Sequence, residues 1–319
     1  MTVVKNLAFV DKNKLKNLSS FIASELDIST FYPFYISFLH HILPFKFKFL
    51  EETFVAIENK KIKGLITINK AGEKRVKISR LLLEENSEEI GKMLTNCVVT
   101  LFLSKGAENF YVVVNKNNVP LLTMFKNGLN FKDYGKEIIY QIKNDHKTFE
   151  FEDINFEHIY KMKKNYSKKV EELINGMMLS YRKPTFLKNA KEINNAMNFN
   201  KEHYIVYDKN NDNILGYFFI NKMNKNDFLL EFVINSGYEA YSSDIIKYAK
   251  SKLIKNKNFK NLYIKLKSYY QNFDELYEMF NMEYERINEC EILVKDFLIQ
   301  KKQEFTFEKL IFNDATPAF

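Results

Sequence analysis

The chain has 319 residues, 46% of them hydrophobic and 28% charged, and its formal net charge at pH 7 is +8. This length and apolar content can build two ordinary hydrophobic cores. The positive charge favours anionic partners, but the basic residues are scattered and no nucleic-acid-binding motif accompanies them, so we do not expect a nucleic-acid partner. Two distant cysteines, Cys97 and Cys290, support neither a disulfide framework nor a zinc site, and we expect no metal.

The hydropathy pattern contains no targeting or membrane signal. The first residues, MTVVKNLAFVDKNK, lack the apolar core of a signal peptide. No uninterrupted apolar run approaches the roughly 20 residues that a transmembrane helix needs. We therefore expect a soluble, cytoplasmic protein that does not insert into membranes.

The first half of the chain predicts a mixture of helices and strands. In chain order these are an apolar run at 7–10, a helix over 15–22 capped by Asp11, a helix over 31–42, strands at 54–57, 64–68 and 76–83, a helix over 90–103, a strand at 110–114, a short helix over 119–125, and two strands near 131 and at 138–142. The polar segment ENKKIK between the first two strands is a hairpin signal, and Gly106 is placed to end the long helix.

The second half predicts the same order of elements. After a Lys- and Glu-rich helical region come strands at 204–207, 216–220 and 228–234, a helix over 243–253, a strand at 262–266, a helix over 274–280 and a strand at 292–297. A polar junction lies near 144–147, and the tail beyond Gln300 carries one more alternating apolar piece.

The two halves also repeat each other in sequence. IKGLITINK begins at Ile62 and ILGYFFINK at Ile214, which are 152 residues apart, and Phe125 matches Tyr277 at the same spacing. A repeat of this length is too long for a solenoid, whose repeats are about 20 to 50 residues. The sequence therefore predicts two tandem domains, at residues 1–146 and 147–319.

Four segments resemble the GNAT superfamily of acyl-CoA-dependent N-acyltransferases. They are KIKGLITI, RLLLEENSEEIGKMLTNCV, NKNNVPLLTMFKNGLNF and, in the second half, ELYEMFNMEYE. The resemblance covers nearly the whole chain twice. It implies an α/β fold of two tandem GNAT-like domains, each a mixed, mostly antiparallel sheet flanked by helices.

The resemblance implies that acyl-CoA enters a gap between two parallel strands that diverge, and that its diphosphate rests on the helix start that follows. The residues that match these positions are Leu82, Leu83, Ile90, Gly91, Lys92, Asn115, Ser242 and Ser243. Other roles remain open for several of them. Gly91 also suits close packing, Asn115 a turn, and Ser242 or Ser243 a helix cap.

The resemblance further implies that Tyr277 is the general acid that returns a proton to the thiolate leaving group. Phe125, at the matching position of the first half, has no hydroxyl. A tyrosine here is equally compatible with an amphipathic core position.

The sequence therefore predicts an acyl-CoA-dependent N-acyltransferase with one catalytic and one structural half. Its co-substrate would be acetyl-CoA or another acyl-CoA, and its acceptor a small-molecule or peptide primary amine. Two alternatives remain. One is a degenerate, non-catalytic binding module, and the other is a Fem-type transferase that uses aminoacyl-tRNA, the single case in which a nucleic acid is expected.

Overall fold

The computed structural model describes residues 2–6, 22–24, 52–72, 74–84, 87–144, 156–197, 201–256 and 258–297. These residues form two compact units. Unit 1 contains the described residues up to Asp133 together with 292–297, and unit 2 extends from Tyr134 to Glu291. The predicted helix over 31–42, the apolar run at 7–10 and the tail beyond Gln300 lie outside the described residues.

Unit 1 is built on an antiparallel sheet to which one parallel strand is added. Its strands are β1 (Val3–Asn6), β2 (Ile22–Ser24), β3 (Glu52–Glu58), β4 (Lys61–Lys70), β5 (Arg75–Leu83) and β6 (Asn109–Asn115). The order is β1-β3-β4-β5-β6, and β5 and β6 are parallel. Asn59 and Lys60 have φ of 50° and 64°, which suits the tight hairpin turn between β3 and β4.

The helices of unit 1 cover the core side of this sheet. They are α1 (Glu88–Ser104) and α2 (Val119–Thr123), and a π-helical turn, Met124–Gly128, continues α2. Leu94, Val98 and Phe102 recur every four residues on α1 and are buried. Gly106, with φ of +87°, ends α1 as its sequence position predicts.

Unit 2 repeats this plan with more helix. Its strands are β7 (Lys132–Lys143), β8 (Ile159–Lys161), β9 (Lys201–Asp208), β10 (Asn213–Lys222), β11 (Asp227–Ile234), β12 (Asn261–Lys267) and the first part of β13 (Glu285–Asp296). Its helices are α3 (Ser167–Met177), α4 (Lys183–Phe186), α5 (Ala190–Ala196), α6 (Tyr241–Ile254) and α7 (Phe273–Glu283).

The sheet of unit 2 has one hydrophobic face and one mixed face. Its strand order includes β8-β9-β10-β11-β12, in which only β11 and β12 are parallel. Phe218, Leu230 and Ile264 belong to the core that α6 and α7 complete. The strand residues between them point to the opposite face, where α3 packs on β10 and β11.

The predicted fold class is confirmed, since both units contain a mixed, mostly antiparallel sheet with flanking helices. The bounds of β4 and β10 differ by 152 residues, and so do those of β6 and β12. The division at residue 146 remains a sequence-based prediction. The compact units follow contacts instead, so most of β7 belongs to unit 2 and residues 292–296 of β13 to unit 1.

Three local predictions need correction. Ile22 begins strand β2 rather than ending a helix, because it pairs with an open edge of β5. The two strands predicted near 131 and at 138–142 form one strand, β7, which pairs with β12 from Glu137 to Lys143. The predicted helix over 119–125 changes to π-helical geometry at Met124.

Candidate functional site

The parallel strands of unit 2 separate before they end. Their paired residues extend from Asp227 and Asn261 to Glu231 and Lys265, whereas β11 continues to Ile234 and β12 to Lys267. A small space, open to solvent, lies at this separation. We call it the unit 2 slot. It is lined by Phe232, Val233, Ile234, Leu266, Lys267, Tyr270, Asn272, Phe273 and Leu276.

A second small space, the polar cavity, adjoins the slot on the side of α3. Its lining is Ile174, Lys188, Tyr217, Phe219, Glu231, Phe232, Val233, Lys265, Lys267 and Tyr270. Phe232, Val233, Lys267 and Tyr270 line both spaces, so a molecule in one would meet a molecule in the other.

Two ion pairs lie on the mixed face of the sheet. Lys267 Nζ donates a hydrogen bond to Glu231 Oε2, and the two side chains are 17% and 15% exposed. Lys265 Nζ lies 3.2 Å from Glu137 Oε2, and these side chains are 3% and 8% exposed. We call these four residues the charge cluster.

Glu231 and Lys267 keep each other ionised. Burial alone would raise the pKa of the Glu231 carboxyl, but the ammonium groups of Lys267 and Lys265 outweigh it and lower that pKa to about 2. Burial opposes the charge on Lys267 as well, and the Glu231 carboxylate more than compensates, so the pKa of Lys267 is well above its ordinary value. At neutral pH the cavity therefore presents a carboxylate beside an ammonium group.

A neutral histidine, His203, hydrogen-bonds to Tyr217, which lines the polar cavity. His203 Nε2 lies 3.1 Å from the Ala196 carbonyl oxygen, and His203 Nδ1 lies 2.6 Å from Tyr217 Oη. Burial lowers the pKa of His203 to about 4, so the ring is neutral at pH 7. Since Nε2–H must donate to the carbonyl, Nδ1 accepts the Tyr217 proton, and the Tyr217 oxygen keeps its lone pairs for other donors.

The carboxylate of Glu239 accepts a hydrogen bond from the backbone of its own loop, which connects β11 and α6. Gly237, with φ of +85°, donates its N–H to Glu239 Oε1 at 3.0 Å. Asn272 Nδ2 donates to the Ile234 carbonyl oxygen at 3.1 Å and to Glu239 Oε1 at 3.3 Å. An anion at this loop would therefore have to share or replace the contacts of Glu239.

Ser242 and Ser243, the predicted phosphate donors of the second half, lie in the first turn of α6. Their backbone N–H groups donate to the carbonyl oxygens of Glu239 and Ala240 at 2.9 and 3.3 Å. Ser242 is buried and Ser243 is partly exposed. Both residues follow directly on the Glu239 loop.

The matching gap of unit 1 is closed by the chain itself. β5 pairs with β6 only from Arg75 to Ile78 and then continues to Leu83. Along Leu81–Leu83, one edge of β5 pairs with β4 and the other with β2. β2 thus takes the backbone edge at Leu82 and Leu83, where the resemblance places the co-substrate.

Gly91 sits where the structure has no room for a side chain. A Cβ atom there would lie 2.7 Å from Met124 Sδ and 2.8 Å from Leu83 Cδ1. Its neighbour Ile90 is partly buried against Gly64, whose own added Cβ would lie 2.9 Å from Ile90 Cγ2. This geometry supports the packing role for Gly91.

Lys92 is engaged by its own helix. Its Nζ lies 3.0 Å from Glu88 Oε1 and 2.9 Å from Glu89 Oε1, and these hydrogen bonds raise its pKa. Its side chain also crosses Gly128, where an added Cβ would lie 2.6 Å from Lys92 Cε. A phosphate at this helix start would meet two carboxylates beside the lysine.

Asn115 and Tyr277 belong to different units. Asn115 ends β6, and its Oδ1 accepts the N–H of Asn117 at 2.8 Å, which makes a turn. Tyr277 is on α7, where its ring stacks on Phe273 and its Oη accepts a hydrogen bond from Arg286 at 3.3 Å. Among the described residues, those lining the slot include Phe273 and Leu276 but not Tyr277.

The predicted residues therefore do not form one site. Those of the first half surround the closed gap of unit 1, and Ser242, Ser243 and Tyr277 flank the slot of unit 2. Sequence reading missed the charge cluster and the pair of His203 and Tyr217. The sequence does contain a signal for the charge cluster, because glutamate interrupts the otherwise apolar strand FLLEFVI and lysine interrupts LYIKLK.

Comparison with known proteins identifies the fold. No protein-family model matches the chain. No curated protein matches it either. Among solved structures, a tandem GNAT protein from the clavulanic acid biosynthesis pathway has a TM-score of 0.60 at 10% identity and covers 93% of this chain and 98% of its own. A GCN5-related N-acetyltransferase from Sphaerobacter thermophilus has a TM-score of 0.61 at 6% identity and covers 93% and 96%.

A putative acetyltransferase from Pyrococcus horikoshii, with a TM-score of 0.56 and 11% identity, covers 92% of this chain and 89% of its own. The chain therefore has the tandem GNAT fold that its sequence predicts. Within the described residues, no helix is long and apolar enough to span a membrane.

Proposed function

We propose that unit 2 is an acyl-CoA-dependent N-acyltransferase, which moves an acyl group from a CoA thioester to a primary amine, and that unit 1 is structural. The observation that carries the proposal is the difference between the two strand gaps. β11 and β12 leave a slot where they separate, whereas β2 pairs along the same edge in unit 1. The names of the similar structures, an N-acetyltransferase and a putative acetyltransferase among them, support this class of reaction.

The slot offers backbone groups to an amide-containing arm. Residues Phe232–Ile234 lie beyond the last pair with β12, so their outward backbone groups, apart from the Ile234 carbonyl oxygen that accepts from Asn272, can bond to a pantetheine arm as a further strand would. Phe232, Ile234 and Leu266 supply an apolar lining for the arm and the acyl chain. Apolar walls with a few fixed polar groups are typical of ligand sites.

The polar cavity would hold the acceptor. There the amine nitrogen bonds to the thioester carbonyl carbon, the carbon–sulfur bond breaks, the nitrogen loses a proton and the departing thiolate gains one. Tyr277, on the slot-lining helix α7, remains the proposed proton donor. Arg286 donates to its Oη, which leaves the tyrosine O–H proton available for transfer.

Calorimetric titration with acetyl-CoA and with CoA, at low and moderate salt, tests the proposal. We expect saturable binding at one site per chain. Hydrogen exchange, with and without CoA, then locates that site. Peptides that contain 232–234 should become protected, and those that contain 81–83 should not change.

A second candidate, the non-catalytic binding module, is favoured by the Glu239 loop. A carboxylate already accepts the Gly237 N–H that could otherwise face a diphosphate. In this case neither acetyl-CoA nor longer acyl-CoAs would bind. Absence of binding, or protection confined to 81–83, would therefore contradict the enzyme proposal.

A further inference from the structure

The charge cluster is not required by the fold. Glu231, Lys265 and Lys267 correspond, 152 residues earlier, to Ser79, Val113 and Asn115 of unit 1, which carry no charge. The same strands thus form with uncharged side chains at these three matched positions. Replacing a buried ion pair by well-packed apolar residues is often neutral or stabilising, so stability alone does not account for the cluster.

The cluster lies at the meeting point of the two spaces. Glu231, Lys265 and Lys267 line the polar cavity, and Lys267 also lines the slot. Strongly shifted ionisable groups in a cleft often mark functional sites. A polar molecule bound to them would lie beside whatever occupies the slot.

The groups of the cluster can each make a further bond. Glu231 uses Oε2 toward Lys267, and Oε1 has no hydrogen-bond partner among the described residues. An ammonium group such as that of Lys267 has three N–H donors, and its bond to Glu231 uses one of them. A ligand carboxylate can therefore bind Lys267, and a ligand ammonium can bind Glu231, while the pair remains intact.

We propose that the charge cluster is an acceptor subsite for a zwitterion that carries a primary amine beside a carboxylate, as a free amino acid does. The inference rests on the proposed function in one respect, since it takes the bound amine as the nucleophile after its ammonium form has released one proton to solvent water. The ligand amine lies against Glu231 and the ligand carboxylate against Lys267. Tyr217, Phe219 and Tyr270 provide aromatic surface for its side chain.

Charge balance selects this class of ligand. A simple amine at Glu231 places a second cation beside Lys267 and Lys265, and a simple carboxylate at Lys267 places a second anion beside Glu231. A zwitterion satisfies both groups and adds no net charge to a site that is largely buried. The lone pairs of Tyr217 Oη can accept a further hydrogen bond from the ligand.

Direct binding without CoA provides the test. The twenty common amino acids are titrated one by one into the wild-type protein by calorimetry, each beside its decarboxylated amine and its N-acetyl derivative. We expect at least one amino acid to bind about 10- to 100-fold more tightly than either derivative, the effect of losing one hydrogen bond to a charged group.

Three variants assign the groups. Glu231→Gln should weaken binding of the amino acid far more than binding of its N-acetyl derivative. Lys267→Gln should weaken binding of the amino acid far more than binding of the decarboxylated amine. Lys63→Gln removes an ion pair of unit 1, with Glu84, and should leave binding unchanged. If Glu231→Gln does not fold, Glu231→Asp keeps the charge and should still weaken binding.

The outcomes separate this inference from the proposed function. If acyl-CoA binds and no amino acid does, or if amines bind as tightly as amino acids, the zwitterion subsite is wrong and the transferase proposal stands. If an amino acid binds and acyl-CoA does not, the subsite stands and the transferase proposal is wrong.

Discussion

Units 1 and 2 have the same strands at the same spacing, yet they differ where their parallel strands separate. In unit 1, β2 pairs along Leu81–Leu83, and the positions that match Glu231, Lys265 and Lys267 carry no charge. In unit 2, the corresponding edge borders a slot, and two ion pairs lie beside it. A duplicated fold can therefore keep its backbone plan in both copies while three residues of the chain pair, in one copy, with the strand edge that borders a slot in the other.

The largest expected effect comes from breaking one ion pair in each unit. Glu231→Ala leaves Lys267 charged and mostly buried, which should lower the free energy of unfolding by about 3–5 kcal/mol. Glu84→Ala removes the partner of the more exposed Lys63 in unit 1 and should cost below about 1 kcal/mol. Urea denaturation of both variants measures this difference. If the two variants lose the same free energy of unfolding, the Lys267–Glu231 pair contributes no more to stability than a surface ion pair.

The second prediction compares matched helix starts. Gly91→Ser places a Cβ within 2.7–2.8 Å of Met124 and Leu83, so overpacking should cost about 1–3 kcal/mol. The corresponding residue of unit 2 is Ser243, and Ser243→Gly should cost about 0.5 kcal/mol through helix propensity. Thermal unfolding measures both. If Gly91→Ser is as stable as the wild type, the packing role of Gly91 is wrong.

Acid should weaken unit 2 before unit 1. The pKa of His203 is about 4 in the folded chain and 6.5 ordinarily, so between these values the unfolded chain binds a proton that the folded chain does not. Stability is therefore complete above pH 6.5 and falls as the pH drops toward 4, by roughly 2 kcal/mol at pH 4.5. The described part of unit 1 contains no histidine.

Unfolding of His203→Gln at pH 7 and pH 4.5 checks this prediction. The variant should lack the His203 part of the acid loss, and hydrogen exchange at pH 4.5 should rise in unit 2 of the wild type first. The Glu231 carboxylate adds a separate loss at lower pH, between its ordinary pKa of 4.5 and about 2. An identical acid loss in variant and wild type would contradict the assignment to His203.

The smallest effect concerns the tyrosine that only unit 2 carries on its slot helix. If unit 2 is the enzyme, Tyr277→Phe should lower turnover by about tenfold or more through loss of proton transfer, with little change in stability. Tyr111→Phe, in unit 1, is the control and should retain full turnover. A release assay for CoA thiol measures both. Unchanged turnover in Tyr277→Phe would remove that residue from the mechanism.

Sequence patterns predicted the parts of the fold that are long and periodic. The helix that contains Leu94, Val98 and Phe102 and the hairpin at Asn59 follow from local spacing and turn chemistry. β2 could not be predicted, because three residues have no periodicity and their strand form depends on the distant edge of β5. The sequence predicts two strands where the structure has one, β7, because the polar first half of β7 is typical of a break; β12 pairs only with the second half, from Glu137 to Lys143.

The site was harder to predict than the fold. Gly91 fits a phosphate loop and close packing equally well in sequence, and only the positions of Met124 and Leu83 favour packing. His203 is isolated in sequence, yet a strand pairing places it opposite Phe219 and its ring reaches Tyr217. Side-chain pairs such as His203 and Tyr217 depend on the register between neighbouring strands, and a single sequence does not reveal that register.

The strands that end each repeat have a consequence for how the chain can be made and divided. Most of β7 belongs to unit 2, and Leu293, near the end of β13, belongs to the core of unit 1. During synthesis, the core of unit 1 is therefore complete only after Leu293, near the end of the described residues, has been made. A cut between the repeats would leave each piece without a strand that its sheet or core uses. The two repeats thus share one fold, yet each compact unit contains residues that come from the other repeat.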